Sequence, residues 1–251
     1  MMYTKVKTAE EIESMRVAGK MLATVLQHVK NRAVKGMSTQ DLADRAAAEL
    51  KTLGGAPSFL GYQGFPDVLC VSVNDEVVHG IPSKLNILED GDIVSIDFGV
   101  TYKGMVTDAA LSFIVGPADP KVQKLLNQTE RALMSGIDVL KAGVRVGDIA
   151  AAVQKVLDAG GYGIVRDLVG HGVGHHIHED PNIPNYGHAG SGDVLKAGMT
   201  IAIEPMATLG DYHVMQDDDG WTIRTRDRSL AAHFEHTILI TEKGYEILTA
   251  L

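Results

Sequence analysis

Sliding this chain of 251 residues along itself by 107 positions superposes two long stretches without a gap. Gly36 falls on Gly143, Asp41 on Asp148, Ala43 on Ala150, Leu50 on Leu157 and Gly54 on Gly161. The same shift lays Leu88 on Leu195, Gly91 on Gly198, Ile96 on Ile203 and Asp97 on Glu204. Abundant Ala, Leu and Gly give chance matches, but not at one constant offset over about 60 positions. Each half therefore reads helix, helix, loop, and then an acid ending an apolar strand. The expectation is two similar α+β halves, about residues 5–115 and 116–251, packed about a pseudo-twofold axis. No Pro/Gly/Ser-rich linker separates them, which favours one compact unit.

Local patterns fill in the halves. Thr8-Ala9-Glu10-Glu11 is a capping-box pattern ahead of Ile12, Met15, Leu22, Val25, Leu26 and Val29, so a first amphipathic helix is expected over about 9–31. Ser38 can cap a second that runs to Gly54-Gly55. Asp119-Pro120 opens a third carrying Val122, Leu125, Leu126, Leu133, Ile137 and Leu140, and a fourth covers Val146 to Ala159. Between the pairs, Leu69 to Val73 reads as a strand.

Charge excludes some partners. With 23 Lys+Arg against 32 Asp+Glu the formal charge is -9, and no basic run offers a footprint for nucleic acid or an anionic membrane. No apolar stretch approaches the ~20 residues that span a bilayer. Cys70 is the single cysteine and cannot form an internal disulfide, and Met1 to Glu13 carries charges in place of an apolar signal region. A cytoplasmic location is expected, and a monomer, since no obvious apolar patch is left over.

The acids repeat in pairs. Asp97 ends the apolar run Ile93-Val94-Ser95-Ile96, where a carboxylate is costly unless paired, hydrogen-bonded or bound to metal. Asp108 follows 11 residues later, and a hairpin turning about Tyr102-Lys103 would set the two directly opposite each other. Two ordinary turn aspartates are the bland alternative. In the second half Glu204 ends the run Met199 to Ile203, and Glu235 follows 31 residues later, just before the strand Thr237 to Thr241. The extra 20 residues carry Asp217-Asp218-Asp219 and Trp221. Long loops beside paired acids often touch substrate, although a solvated loop is the preferred reading of the three aspartates.

Five of ten histidines lie between His171 and His188. In Gly170-His171-Gly172-Val173-Gly174-His175-His176-Ile177-His178, alternating glycines let backbone and imidazoles approach a crowded site, and His171 is the natural ligand. The glycines do not match a dinucleotide fingerprint. Four carboxylates and one imidazole make a hard set suited to two divalent ions such as Mn, Fe or Co, with Zn also compatible. Such a pair sharing a water supports metal-assisted hydrolysis of a carbonyl. His28, His188 and His213 read as solvated, and Cys70 as packed.

The chain resembles the type I methionine aminopeptidases over nearly its whole length, from about Lys5 onward. The resemblance is carried by Gly61-Tyr62-Gln63-Gly64-Phe65-Pro66, Val77-Val78-His79-Gly80-Ile81-Pro82, Asp92 to Asp97, Thr107-Asp108-Ala109, Gly170 to Gly174, Ile203-Glu204-Pro205 and Phe234-Glu235-His236-Thr237. It implies a pita-bread, creatinase/aminopeptidase-like fold forming a single catalytic domain over residues 1–251, with a central antiparallel sheet and outer helices. It implies a hydrolase that removes the initiator methionine from nascent proteins when the second residue is small, working close to the ribosome. Asp97, Asp108, His171, Glu204 and Glu235 would hold two metal ions (Co, Mn, Fe or Zn). Glu204 would also handle the proton of the bridging water that attacks the scissile carbonyl. His79 and His178 would contact the scissile amide, and Tyr62, Phe65, Cys70, Ile177 and Trp221 would wall the methionine pocket.

Four positions depart from that family's pattern: Gln63 and His233 stand where His and Gln are usual, His175 where Arg is, and Ile177 where an aromatic residue or Met is. None is a proposed ligand, so the expected effect is on pocket shape and supporting hydrogen bonds. Two other functions compete. An Xaa-Pro aminopeptidase or prolidase shares the five ligands but usually carries a further N-terminal domain, whereas 96 residues precede Asp97 here. A non-catalytic binding module on the same fold would be expected to have lost ligands, and all five are present.

Overall fold

The computed structural model describes residues 2–251, and its four α-helices begin where side chains satisfy free backbone N–H groups. α1 (Ala9–Lys30) starts from a complete capping box between Thr8 and Glu11, and α2 (Thr39–Leu53) from one between Ser38 and Asp41. The Asp119 carboxylate accepts from Lys121 N–H to open α3 (Pro120–Asp138), with Pro120 at its first position. α4 (Val146–Gly160) begins with Asp148 accepting from Arg145 N–H. All four match the sequence expectation except that α3 stops before Leu140, which closes a turn onto Ile137.

The 107-residue shift reappears in three dimensions. It carries α2 onto α4 end to end, the αL caps Gly54 and Gly161 onto each other, and the bridge Ser38 to Ile87 onto Arg145 to Val194. Gly36 N–H donates to Leu88 O at 2.8 Å, and Gly143 N–H to Leu195 O at 2.9 Å. Two apolar clusters follow. α1 and α2 close over one with Leu69, Val71, Val94, Ile96 and Phe98; α3 and α4 close over the other with Ile201, Ile203, Ile238 and Ile240. Leu111 packs against both. Burial of such aliphatic faces, about 25 cal/mol per Å² removed from water, is the main force holding the helices on the sheets.

The strands that carry the site are β1 (Cys70–Val73), β2 (Glu76–Val78), β3 (Ile93–Tyr102), β4 (Met105–Ile114), β5 (Gly170–Gly172), β6 (Thr200–Ile203), β7 (Met206–Thr208), β8 (Val214–Gln216), β9 (Ile223–Thr225), β10 (Ala231–His233) and β11 (His236–Ile240). β3 pairs antiparallel with β1 and β4, and β6 with β5 and β11. The halves meet where β4 runs antiparallel to residues 233–237. Ala110 and Glu235 exchange both backbone bonds, at 2.9 and 3.3 Å. On either side a hydroxyl replaces the ladder: Thr237 Oγ1 donates to Asp108 O and accepts from Asp108 N–H, and Ser112 Oγ does the same for His233. The seam thus satisfies its buried backbone groups while aligning Asp108 with Glu235.

The first hairpin corrects one expectation. β3 and β4 turn on Lys103-Gly104, not on Tyr102-Lys103, so Asp97 stands opposite Ala110, and Asp108 opposite Gly99. Both turn residues have positive φ, 48° and 79°, the backbone of the tight hairpin turn whose twist matches the strands. Because the slip is by two residues, both carboxylates stay on one face and meet diagonally.

The 20-residue insertion is also more ordered than a solvated loop. β8 and β9 form a hairpin, and β9 pairs with β2, so a segment of the second half is stitched onto the first. Arg224 bonds Asp217, Asp75 and Glu76 at 2.5, 3.1 and 2.8 Å. Asp219 accepts from the N–H groups of Trp221 and Thr222, at 2.8 Å each, and from the Thr222 hydroxyl. Asp218 and Asp219 stay exposed, as expected, but the Asp219 carboxylate organises the turn, and Asp217 is half-buried against Arg224. Among the described residues no helix is long and apolar enough to cross a membrane.

Candidate metal centre and its cavity

The five proposed ligands converge. Asp97 comes from the middle of β3, Asp108 from β4, His171 from β5, Glu204 from the end of β6 and Glu235 from the step into β11, and all line one cavity of about 210 Å³. Asp108, His171 and Glu235 offer ligand atoms all within 4.8 Å of one another. His171 Nε2 lies 3.6 Å from Glu204 and 3.9 Å from Asp108. Its other nitrogen, Nδ1, bonds the Gly172 carbonyl at 2.9 Å. That bond puts the ring proton on Nδ1 and leaves the Nε2 lone pair facing the carboxylates, the state a metal ligand needs.

The glycines around His171 are set by close approach. A Cβ at Gly170 would lie 2.4 Å from Ala202 O, and one at Gly174 would lie 2.3 Å from Lys7 Cε. Behind the loop, Lys7 and Glu179 form a fully buried ion pair at 3.1 Å, and Glu179 also accepts the N–H groups of His175 and His176. His175 Nε2 reaches Glu11 at 2.8 Å. The strand-to-helix segment at the start of the chain therefore clamps the histidine loop.

Electrostatics point to an ion. Burial, and then mutual repulsion, raise the Asp108 and Glu235 carboxyls well above their ordinary values. Burial raises Asp97 to about 7 and Glu204 to about 8, and it lowers His171 to about 3. Asp97 Oδ1, Asp108 Oδ1 and Glu235 Oε1 are buried without a hydrogen-bond partner. Unpaired buried acceptors cost roughly 1–3 kcal/mol each, and a cation set among these oxygens satisfies all of them. The donor set fits divalent metal.

The cavity wall is apolar. Tyr62, Phe65, Cys70 and Trp221 line it as expected, and Trp221 meets Phe65 edge-on at 5.2 Å. Ile177 does not line it. It packs behind the wall against Phe59, in the space kept by Gly99. Phe59 takes the place at the cavity surface, a residue that carries no sequence signal beyond preceding a glycine-rich turn. His79 and His178 both line the cavity. His79 has φ 60°, a strained conformation for a side chain of its size, and burial lowers its pKa to about 4. His178 stacks edge-on to His171 at 4.4 Å and bonds Tyr62 at 2.9 Å.

The histidines at departing or unassigned positions divide. His233 is 1 % exposed, has both ring nitrogens unpartnered and lies 3.5 Å from Glu204. His176 and His188 are exposed, and His213 bonds Asp211. His28 is not free: it pairs with Glu49 at 3.0 Å and ties α1 to α2.

Residues 13–242 match the family model described as metallopeptidase family M24. The chain belongs to that family. Within M24 it stands with the methionine aminopeptidases. A protein of that name from Clostridium perfringens is 46% identical over 246 residues, 98% of either chain. The crystal structure of methionine aminopeptidase from Thermotoga maritima superposes with a TM-score of 0.97 at 47% identity, covering 99% of this chain and 100% of that one. Prolidase from Pyrococcus furiosus shares the M24 fold more distantly, at a TM-score of 0.79 and 25% identity, and this chain covers 65% of it. The chain is therefore an M24 aminopeptidase of the methionine-removing kind, and the prolidase alternative has less support.

Proposed function

We propose that the whole chain is one catalytic domain that removes the N-terminal methionine from nascent polypeptides whose second residue is small, acting as a cytoplasmic monomer. The observation that carries this is an apolar cavity, walled by Tyr62, Phe65, Cys70, Phe59 and Trp221, that opens directly onto unpaired buried carboxylates. A thioether suits such a wall, and the carboxylates account for hydrolysis at its mouth.

Asp97, Asp108, His171, Glu204 and Glu235 would hold two divalent ions from among Mn, Fe, Co and Zn. When bound, these would polarise the scissile carbonyl and make water acidic near neutral pH. Glu204, whose carboxylate lies 3.6 Å from His171 at the mouth of the cavity, would take a proton from the attacking water and pass it to the departing amine. His79 and His178, both lining the cavity, would donate hydrogen bonds to the peptide as charge develops on its oxygen. The Arg224 bridge holds the Trp221 side of the pocket against the first half.

The test is release of amino acid from three peptides by metal-reconstituted protein. Methionine freed from Met-Ala-Ser and not from Met-Lys-Ser supports the reading. Cleavage of Gly-Pro alone refutes it in favour of the prolidase activity, and no cleavage with any of the four metals refutes it in favour of a binding module.

A further inference from the structure

The tight turn at Gly61–Phe65 delivers two side chains into one line of hydrogen bonds with His178. The turn is fixed by Phe65 N–H donating to Tyr62 O and Gly61 N–H donating to Phe65 O, both at 2.9 Å, and it holds Gln63 at a left-handed φ of 49°. The Gln63 amide donates to the Tyr62 hydroxyl at 3.1 Å, and that hydroxyl lies 2.9 Å from His178 Nδ1. A phenol has one proton. With an amide N–H already directed at its oxygen, the hydroxyl gives that proton to the next group, so Nδ1 acts as the acceptor. A neutral imidazole that accepts at Nδ1 carries its proton on Nε2. The Tyr62 hydroxyl therefore selects between the two tautomers of the His178 ring.

We propose that Gln63 and Tyr62 are positioning residues that hold His178 as the Nε2–H tautomer, so that it presents a donor to the carbonyl oxygen of the bound peptide. The inference rests on the reading of His178 as a substrate-facing group. Gln63 supplies the direction of the relay. Its isostere, Gln63→Glu, can only accept, so the Tyr62 hydroxyl donates its hydrogen bond to that carboxylate, the tyrosine oxygen becomes the acceptor toward His178, and the histidine carries its proton on Nδ1. Gln63→His restores a donor. Gln63→Gly deletes the side chain at a φ that glycine favours, so it removes the relay without straining the turn.

The experiment reads the tautomer directly, by long-range ¹H–¹⁵N correlation on full-length, Zn²⁺-loaded protein with ¹⁵N-labelled histidine at pH 7.5. The wild type is expected to show His178 as Nε2–H, Gln63→Glu as Nδ1–H and Gln63→Gly as a mixture. With Met-Ala-Ser, kcat of Gln63→Glu should fall by about tenfold, the scale of one lost directional hydrogen bond, with KM little changed, and Gln63→His should recover most of it. A wild-type Nδ1–H tautomer, or one unmoved by Gln63→Glu, overturns the relay. A reversed tautomer with unchanged kcat instead overturns the role of His178 on which the relay depends.

Discussion

Metal removal should convert the centre into a store of protons, and the sign of the resulting pH dependence follows from burial. In the unfolded chain Asp97, Asp108, Glu204 and Glu235 ionise at about 4; in the folded metal-free protein burial raises Asp97 to about 7 and Glu204 to about 8, and burial with mutual repulsion raises Asp108 and Glu235 well above their ordinary values. The folded state therefore holds protons that the unfolded state has released, and stability falls as pH rises toward the folded values. Each such carboxyl contributes about 1.4 kcal/mol per pH unit. The buried histidines His79, His171, His178, His233 and His236 act oppositely, because burial lowers their pKa and the unfolded state holds their protons. Their effect fades between about pH 7 and 8, as the unfolded histidines, with a pKa of about 6.5, also become neutral. From pH 7 to 8 the carboxyls outweigh what remains of the histidine effect, and the metal-free protein should lose stability, about 1 kcal/mol through Glu204 alone, so its Tm should fall by a few degrees. Metal-loaded protein, its carboxylates ionised against cations, should be nearly flat over the same interval. Circular dichroism melts of chelator-treated and reloaded protein at pH 7.0, 7.5 and 8.0 measure both slopes. Titration calorimetry in two buffers of different ionisation enthalpy should show a net release of protons on metal binding at pH 7.5. A metal-free Tm that is level or rising across this window, or a loaded protein with the same slope, would falsify the assignment of these carboxyls to the metal centre.

Three other perturbations separate the parts of the site. Glu204→Gln should leave the thermal melt of the loaded protein within a few degrees of wild type while abolishing turnover; unchanged activity removes Glu204 from its proton-handling role. Lys7→Met leaves Glu179 buried without its cation and should lower stability by about 3–5 kcal/mol in urea unfolding; a loss under about 1 kcal/mol shows that the pair does not anchor the histidine loop. Arg224→Leu frees Glu76 and Asp217 and leaves Asp75 to Arg228 alone, so KM for Met-Ala-Ser should rise several-fold with kcat little changed, and an unaltered KM would show that Trp221 is held in place by other contacts.

Much of the fold is legible because helix starts and stops are local. Thr8, Ser38 and Asp119 act on N–H groups two or three residues away, and Gly54 and Gly161 end their helices by adopting a conformation other residues resist. The ligand residues are legible for a related reason: an acid at the end of an apolar strand needs compensation, and the repeat shows the same need twice. The register of Asp97 against Asp108 is less so, because Tyr102-Lys103 and Lys103-Gly104 both read as turns, and the side-chain face is the same for either. Phe59 stands at the cavity where Ile177 is expected, because the packing of both depends on Gly99, a residue far from either in the chain.

The sequence by itself determined two α+β halves, the N-caps of three of their four helices, the types of ligand and the apolar character of the pocket. Tertiary structure alone decided the seam, where Thr237 and Ser112 stand in for a backbone ladder and bring Asp108 beside Glu235. It alone decided that the aspartates of the insertion hold Trp221 in place, and that Gln63 meets Tyr62 and His178. Propensity and capping act within a few residues and can be read along the chain. Desolvation, charge repulsion and hydrogen-bond direction depend on which group stands opposite across the fold, and that is set only once distant strands have paired.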